Sequence, residues 1–296
     1  MTNLKEIVAV GSIAFDSIDT PKGKRDHILG GSSTYFGVAA SLFSKVSLIG
    51  VVGDDFNNKE WDLFRKYNID TASVEVAKGK TFSWGGKYNQ DYSSRETLFT
   101  NLGVFENFVP KINSNFLSPI LYLGNIQPQL QFDVISKINK PYLIAADSMN
   151  LWIDLFPEEV WKLITKVNIL MLNDEEALQL TGETNLENVI TQFLSLGPKV
   201  VIIKMGGDGC LVAHNNKIDH VSIVPNTPVF DPTGAGDSFA GGVLGYISKY
   251  GISDPVQAAV YGSAVASFTV SGFGLENLIN MNNDNLNNKI AKIKVS

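Results

Sequence analysis

Apolar and polar positions along the chain fall into alternating blocks. Short β-branched runs, each closed by glycine or a polar cluster, give way to longer stretches with helical spacing. Residues 7–10, 46–52, 120–123, 142–146, 169–172 and 200–204 form such runs. Their continuous apolar character suits strands buried on both faces of a parallel sheet. Helical patterns cover 35–43, 61–67, the residues from Gln129 and 158–167, and a helix is expected to begin at Asn173–Glu176. Leu286, Ile290 and Ile293 predict a final one. Strand–helix alternation at this spacing predicts an α/β fold of three layers, α/β/α, with a mostly parallel central sheet. Two stretches break the rhythm. Residues 13–29 are polar and contain Pro21 and Gly23, while 81–104 interleave Phe82, Trp84, Tyr88 and Tyr92 with polar residues and Gly85-Gly86. The second pattern predicts antiparallel strands with one solvated face. Together the two excursions are expected to form a small β-sheet lid on a single domain spanning 1–296.

Sites in such a sheet lie beyond the carboxyl ends of the strands. Ser12 to Asp16, Gly30-Gly31, Asp147, Asn173 to Glu176 and Asp231 to Asp237 all fall at expected strand ends. The densest is Asp231-Pro232-Thr233-Gly234-Ala235-Gly236-Asp237-Ser238-Phe239-Ala240-Gly241-Gly242, between an apolar strand-like run and a helix-like run. A turn of this composition exposes backbone N–H groups at a helix N-terminus, where the helix dipole favours an anion. Asp237 then sits in the first helical turn beside that anion. A carboxylate there has a use if it takes the proton of a hydroxyl that attacks a phosphate.

Composition narrows the classes. The chain has 296 residues, 44% hydrophobic and 18% charged, an ordinary globular balance with ample material for a core. A net charge of −6 disfavours a nucleic-acid or anionic-membrane partner. With Cys210 as the single cysteine, no internal disulfide and no cysteine zinc cluster can form. A cytoplasmic location fits. The run at 7–10 reads as a first strand rather than a signal peptide, and no run approaches the roughly 18 apolar residues of a membrane span. His27, His214 and His220 show no ligand spacing. Neither a Gly-x-x-x-x-Gly-Lys-Ser/Thr loop nor a Gly-x-Gly-x-x-Gly after the first strand is present, so the two commonest phosphate loops do not apply.

The 231–242 string resembles the C-terminal signature of the ribokinase-like, or phosphofructokinase B, sugar kinases. Gly30-Gly31 and the helix that follows are similar to the same family's N-terminal di-glycine signature. The resemblance runs from Val8 to about Gly274 and implies roles residue by residue. Asp237 matches the catalytic base, and Gly234, Ala235 and Gly236 match the anion hole. Asp231 and Thr233 match positions that hold a monovalent cation, K⁺ in many members. Asn173 and Glu176 match an Asn-x-x-Glu motif that organises Mg²⁺ and phosphate through water; without the resemblance, Asp174, Glu175 and Glu176 read as an N-terminal helix charge run. Lys204, Gly206, Gly209 and Gly272 fall where the family binds ATP. Asp16, with Gly30 and Gly31, falls where it reads sugar hydroxyls. Ala14 and Tyr35 stand where asparagines are usual, which argues against free ribose. Asp147-Ser148-Met149-Asn150 is a weak echo of the family's Asp-Pro-Asn without its nearby arginine, which argues against an acidic keto-sugar. Tyr35 is either a pocket wall or core. Arg95, one of three arginines, either clamps a substrate oxygen or is a solvated hairpin charge.

The resemblance implies an ATP-dependent kinase of a small carbohydrate, using Mg²⁺ and K⁺, with a homodimer formed through the lid. The rival is a nucleoside kinase, whose base Tyr35, Phe36, Trp84 and Tyr88 could sandwich. A non-catalytic sugar- or nucleotide-binding protein is a third reading, against which an intact Asp237 stands.

Overall fold

The computed structural model describes residues 4–296. The chain opens with β1 (Ile7–Val10), then a hairpin of β2 (Ala14–Thr20) and β3 (Gly23–Gly30), then α1 (Ser32–Ser41), β4 (Val46–Gly53), α2 (Asn58–Lys66) and β5 (Ile69–Ala77). A second hairpin, β6 (Phe82–Tyr88) and β7 (Arg95–Asn101), precedes β8 (Ile120–Leu123), α3 (Pro128–Lys137), β9 (Leu143–Ala146), α4 (Asn150–Leu155) and α5 (Pro157–Ile164). There follow β10 (Ile169–Asn173), α6 (Asp174–Thr181), α7 (Leu186–Ser195), β11 (Val200–Lys204), β12 (Cys210–His214) and β13 (Lys217–Val221). The chain ends with α8 (Ala235–Tyr250), α9 (Pro255–Thr269) and α10 (Asn283–Ile290).

The central sheet has the order β13-β12-β11-β10-β9-β8-β1-β4-β5. From β11 to β5 every pairing is parallel, and β12 and β13 add an antiparallel edge. The winding direction reverses between β1 and β8. Such a reversal opens a crevice beyond the carboxyl ends of the strands. Alternation along β1 builds the two outer layers. Ile7 and Ala9 face a core shared with α1, α8 and α9, and Val8 and Val10 face one shared with α3, α5 and α7. Each fully buried aliphatic side chain contributes about 1.5–3 kcal/mol.

The second sheet, in the order β3-β2-β6-β7, is built from both sequence excursions. Its pairing differs from the expected antiparallel pattern at one place: β2 and β6 are parallel. The reason lies in the connections. Both strands leave the same edge of the central sheet, after β1 and β5, so they start in the same direction. A second difference concerns the residues before Asp231, where the pattern predicts a strand. No strand lies between Val221 and α8. Pro225 and Pro228 remove ladder donors there, and the N–H groups of Phe230 and Asp231 go instead to the Val270 carbonyl. β5 and β13 do not stand out in the pattern because each is an edge strand with one solvated face.

Two helices of the first layer touch through glycines. A methyl group at Gly242 would lie 2.9 Å from Gly262 Cα and from the Tyr261 carbonyl oxygen, so α8 and α9 meet backbone to backbone. Gly242→Ala is expected to force them apart and destabilise the fold by about 1–3 kcal/mol. Chemical denaturation measures this, and an unchanged midpoint would show that the helices can separate freely.

Candidate active site

Strand ends and one helix start converge on a cavity of about 1130 Å³. That exceeds what a single drug-sized ligand fills, roughly 300–1,000 Å³, and leaves room for two substrates. Ser12 follows β1, Asn125 follows β8, Asp147 follows β9, Asn173 ends β10 and Lys204 ends β11, and all five line it. The start of α8 closes the floor, and the second sheet with Trp84, Tyr88 and Arg95 forms a wall.

The start of α8 is shaped by two constraints. Gly234, its N-cap, has φ +74°, a left-handed conformation that glycine adopts without steric penalty. Where a Cβ would stand, the ring of Tyr35 packs instead. Tyr35 is 1% exposed, so it is both a buried buttress and part of the cavity floor; burial, then the charge of Asp16, holds its hydroxyl well above the ordinary tyrosine range. The Ala235 N–H closes a turn onto the Pro232 carbonyl at 3.1 Å, which corrects its expected place as an anion donor. Among the described residues the N–H groups of Gly234 and Gly236 donate to no backbone carbonyl. Helix N-termini leave such donors for an anion.

Asp237 stands in the first turn of α8 and faces the cavity. Burial, reinforced by the charge of Asp147, pushes its carboxyl up to about 7 against the opposing pull of Lys204. Lys204 Nζ lies 2.6 Å from Asp147 Oδ2, and 3.3 Å from where a Gly236 Cβ would be. The lysine thus reaches the α8 turn rather than only the nucleotide end. Burial opposes its charge, but Asp147 and Glu176 more than offset this and hold its pKa above the ordinary lysine range. Asp147 as the partner of Lys204 is not apparent in sequence, since the two lie 57 positions apart.

Asn173 and Glu176 form a reciprocal capping box on α6. The Glu176 N–H donates to Asn173 Oδ1 at 2.7 Å, and the Asn173 N–H donates to Glu176 Oε2 at 2.8 Å. The charge-run reading is therefore right about the helix start, and a cap of this kind is worth about 1 kcal/mol. Glu176 is nonetheless 6% exposed and lines the cavity. Burial pushes its carboxyl up to about 7, with Lys204 opposing and Asp147 reinforcing.

Asp16 lies on β2 and is also pushed up to about 7, by burial above all; the Gly31 amide and Arg95 oppose that, and Asp231 and Asp237 add to it. A Cβ on Gly30 would collide with its carboxylate, and one on Gly31 would lie 2.6 Å from the Ser12 carbonyl oxygen. Both glycines give Asp16 and the start of α1 their room, and Gly31 alone reaches the cavity. Arg95, exposed on β7, lies over the Trp84 ring, 4.9 Å from its centroid, and lines the cavity.

Four expected residues stand away from the cavity surface or differ in company. Asp231 is fully buried and accepts from Thr233 N–H and Gly274 N–H, each at 2.9 Å. Thr233 meets the Tyr88 hydroxyl at 3.0 Å, a tie between the second sheet and the α8 turn. Gly272 packs against the Asn277 side chain and does not line the cavity, whereas Gly206 and Gly209 do. Phe36 is stacked on Tyr122 at 4.0 Å in the core, so it cannot wall a base. The wall is made instead by Phe82, Leu102 and Phe105 beside Trp84. At the other end Ile223, Val224, Ala266 and Val270 form an apolar slot. No spacing marks these residues, because they come from segments distant in sequence. No helix among the described residues is long and apolar enough to cross a membrane.

Known proteins share this fold. Residues 5–281 match the pfkB family carbohydrate kinase. A cytidine kinase of Thermococcus kodakarensis is 25% identical over 250 residues, covering 82% of this chain and 89% of its own. The crystal structure of the Methanocaldococcus jannaschii nucleoside kinase, a member of the ribokinase family, superposes with a TM-score of 0.79 at 22% identity over 97% of this chain and 98% of that one. A Vibrio cholerae fructokinase with fructose, ADP and calcium bound gives 0.77 at 19% identity over 97% and 99%. The fold is that of ribokinase. The chain belongs to the pfkB family of carbohydrate kinases and is an ATP-dependent phosphotransferase that acts on a hydroxyl group.

Proposed function

We propose that the enzyme transfers the γ-phosphoryl group of ATP to a sugar hydroxyl of a nucleoside. The observation that carries the transfer is Asp237, set at the mouth of a helix N-terminus with a carboxyl held near 7. Asp237 takes the proton of the acceptor hydroxyl as its oxygen bonds to the γ-phosphorus. The bond from phosphorus to the bridging oxygen breaks, and ADP leaves. The Gly234 and Gly236 amides and the Lys204 ammonium hold the oxygens of the group in flight. Positioning and charge stabilisation dominate such transfers. Asp16 accepts hydrogen bonds from hydroxyls of the acceptor, and Arg95 steadies its oxygens.

The nucleoside reading rests on the aromatic and apolar wall of Phe82, Trp84, Leu102 and Phe105, which is more apolar surface than a free sugar would cover. The adenine of ATP occupies the opposite slot of Ile223, Val224, Ala266 and Val270, with its phosphates running past Gly206 and Gly209. Among the described residues no cluster of three or more His, Cys, Asp or Glu side chains could hold a metal alone. Mg²⁺ keeps several waters and is held largely by substrate phosphates. Glu176, with Asn173, would hold it through water, and the ion would neutralise charge on the phosphates. Asp231 keeps unused lone pairs beside Thr233 and would hold K⁺. The second sheet serves as the lid, and β7, its edge strand with every residue exposed, is where two copies would pair. A cytoplasmic enzyme fits these substrates.

Asp237→Asn is expected to lower kcat by about 10²–10⁴-fold while ATP still binds; turnover at the parental rate would remove Asp237 as the base. The base works only when deprotonated. Accordingly kcat/KM, which reports the free enzyme, should decline on the acid side with a pKa near 7. An acid limb below pH 5 would contradict a buried base. Stability should run the other way. Asp16 and Glu176, pushed up to about 7, bind protons in the folded state that the unfolded chain has already lost. Their contribution to stability therefore declines as pH rises from about 4 to about 7. Asp16→Asn should raise the denaturation midpoint at pH 8 while weakening the KM for the acceptor; a lower midpoint would show that Asp16 holds the fold.

A further inference from the structure

Asn125 lines the cavity, two residues beyond β8. The Gly124 N–H donates to the Val10 carbonyl at 2.8 Å, which sets Asn125 beside the Ser12 end of β1. Trp152, on α4, donates its indole N–H to Asn125 Oδ1 at 3.0 Å. An indole N–H can only donate, whereas a carboxamide has one accepting end and one donating end. The amide oxygen must therefore face Trp152, and the Nδ2 group faces away from it. That group donates to no protein atom among the described residues. Trp152 is held in turn. Its ring stacks on Phe156 at 6.2 Å, and α4 is tied to α6 by Asn150 Nδ2 donating to Gln179 Oε1 at 2.7 Å. The same cavity carries an apolar wall, in which the Phe105 ring lies 5.7 Å from that of Phe82.

We propose that Asn125 is a specificity-determining residue that reads the base of the nucleoside acceptor, with Trp152 as the positioning residue that fixes its polarity. The inference rests on the nucleoside reading above. Asn125 Nδ2 donates to a base edge that presents an acceptor, either a carbonyl oxygen or an unprotonated ring nitrogen. A base that presents an N–H or amino group there meets donor with donor, and both groups stay unpaired. Leaving a buried donor unpaired costs about 1–3 kcal/mol, and mismatched groups of this kind are a usual source of discrimination.

The test is a matched panel. Cytidine and uridine, and likewise adenosine and inosine, are nearly equal in size but exchange donor and acceptor on one edge. The wild-type enzyme should favour one member of at least one pair by about tenfold or more in kcat/KM. Asn125→Asp keeps an oxygen for Trp152 and turns the free end into an acceptor, so it should erase or invert that ratio. Trp152→Phe removes the indole N–H and lets the amide turn, so it should pull the ratio toward one. ATP KM should stay unchanged in both. A structural role alone would lower both members of a pair alike. Should Asn125→Asp not fold, Trp152→Phe carries the test. Equal kcat/KM within both pairs, or ratios untouched by the variants, overturn the proposal while leaving the nucleoside reading intact. Turnover of free sugars alone by the wild-type enzyme overturns both.

Discussion

One ammonium group stands among several carboxylates at the carboxyl edge of the central sheet. Lys204 feels Asp147, Glu176 and Asp237 together, and it pairs directly with only the first. Burial makes the remaining negative charges expensive and pushes the carboxyls of Glu176 and Asp237 up to about 7. The rest of the site follows from that imbalance. Free amides at α8 accommodate a further anion without adding an acidic group, and any divalent ion arriving with phosphates supplies the missing positive charge.

Much of this was legible in the sequence because the chemistry is local there. The turn from Asp231 to Asp237 carries its donors, its left-handed glycine and its carboxylate within seven consecutive positions, and the capping box at Asn173 and Glu176 spans four. Periodicity marked the buried parallel strands well, since both of their faces are apolar. The two excursions stood out by contrast with that texture.

What could not be read depends on long-range company. Asp147 looks like a degraded motif until Lys204 is seen beside it. Phe36 and Tyr35 are neighbours with similar side chains, yet the helix turns one onto Tyr122 and the other beneath Gly234. The parallel pairing of β2 with β6 joins segments that nothing in their own patterns relates. The acceptor is a case of this: sequence pointed first to a free sugar, whereas the wall assembled by Phe82, Leu102 and Phe105 is what supports the proposed nucleoside.

The parallel joint between β2 and β6 also decides which parts travel together. Asp16 belongs to the second sheet, paired through its backbone with Ile28 on one side and Trp84 on the other. Asp237 belongs to α8 and the central layers. A rotation of the second sheet would carry the hydroxyl-reading carboxylate and the aromatic wall as a unit, while the base stays fixed. Under the proposed function, the acceptor would be gripped by the moving part and delivered to the stationary one. Capture and alignment become a single motion, and an acceptor too small to touch the wall is gripped at Asp16 but not oriented.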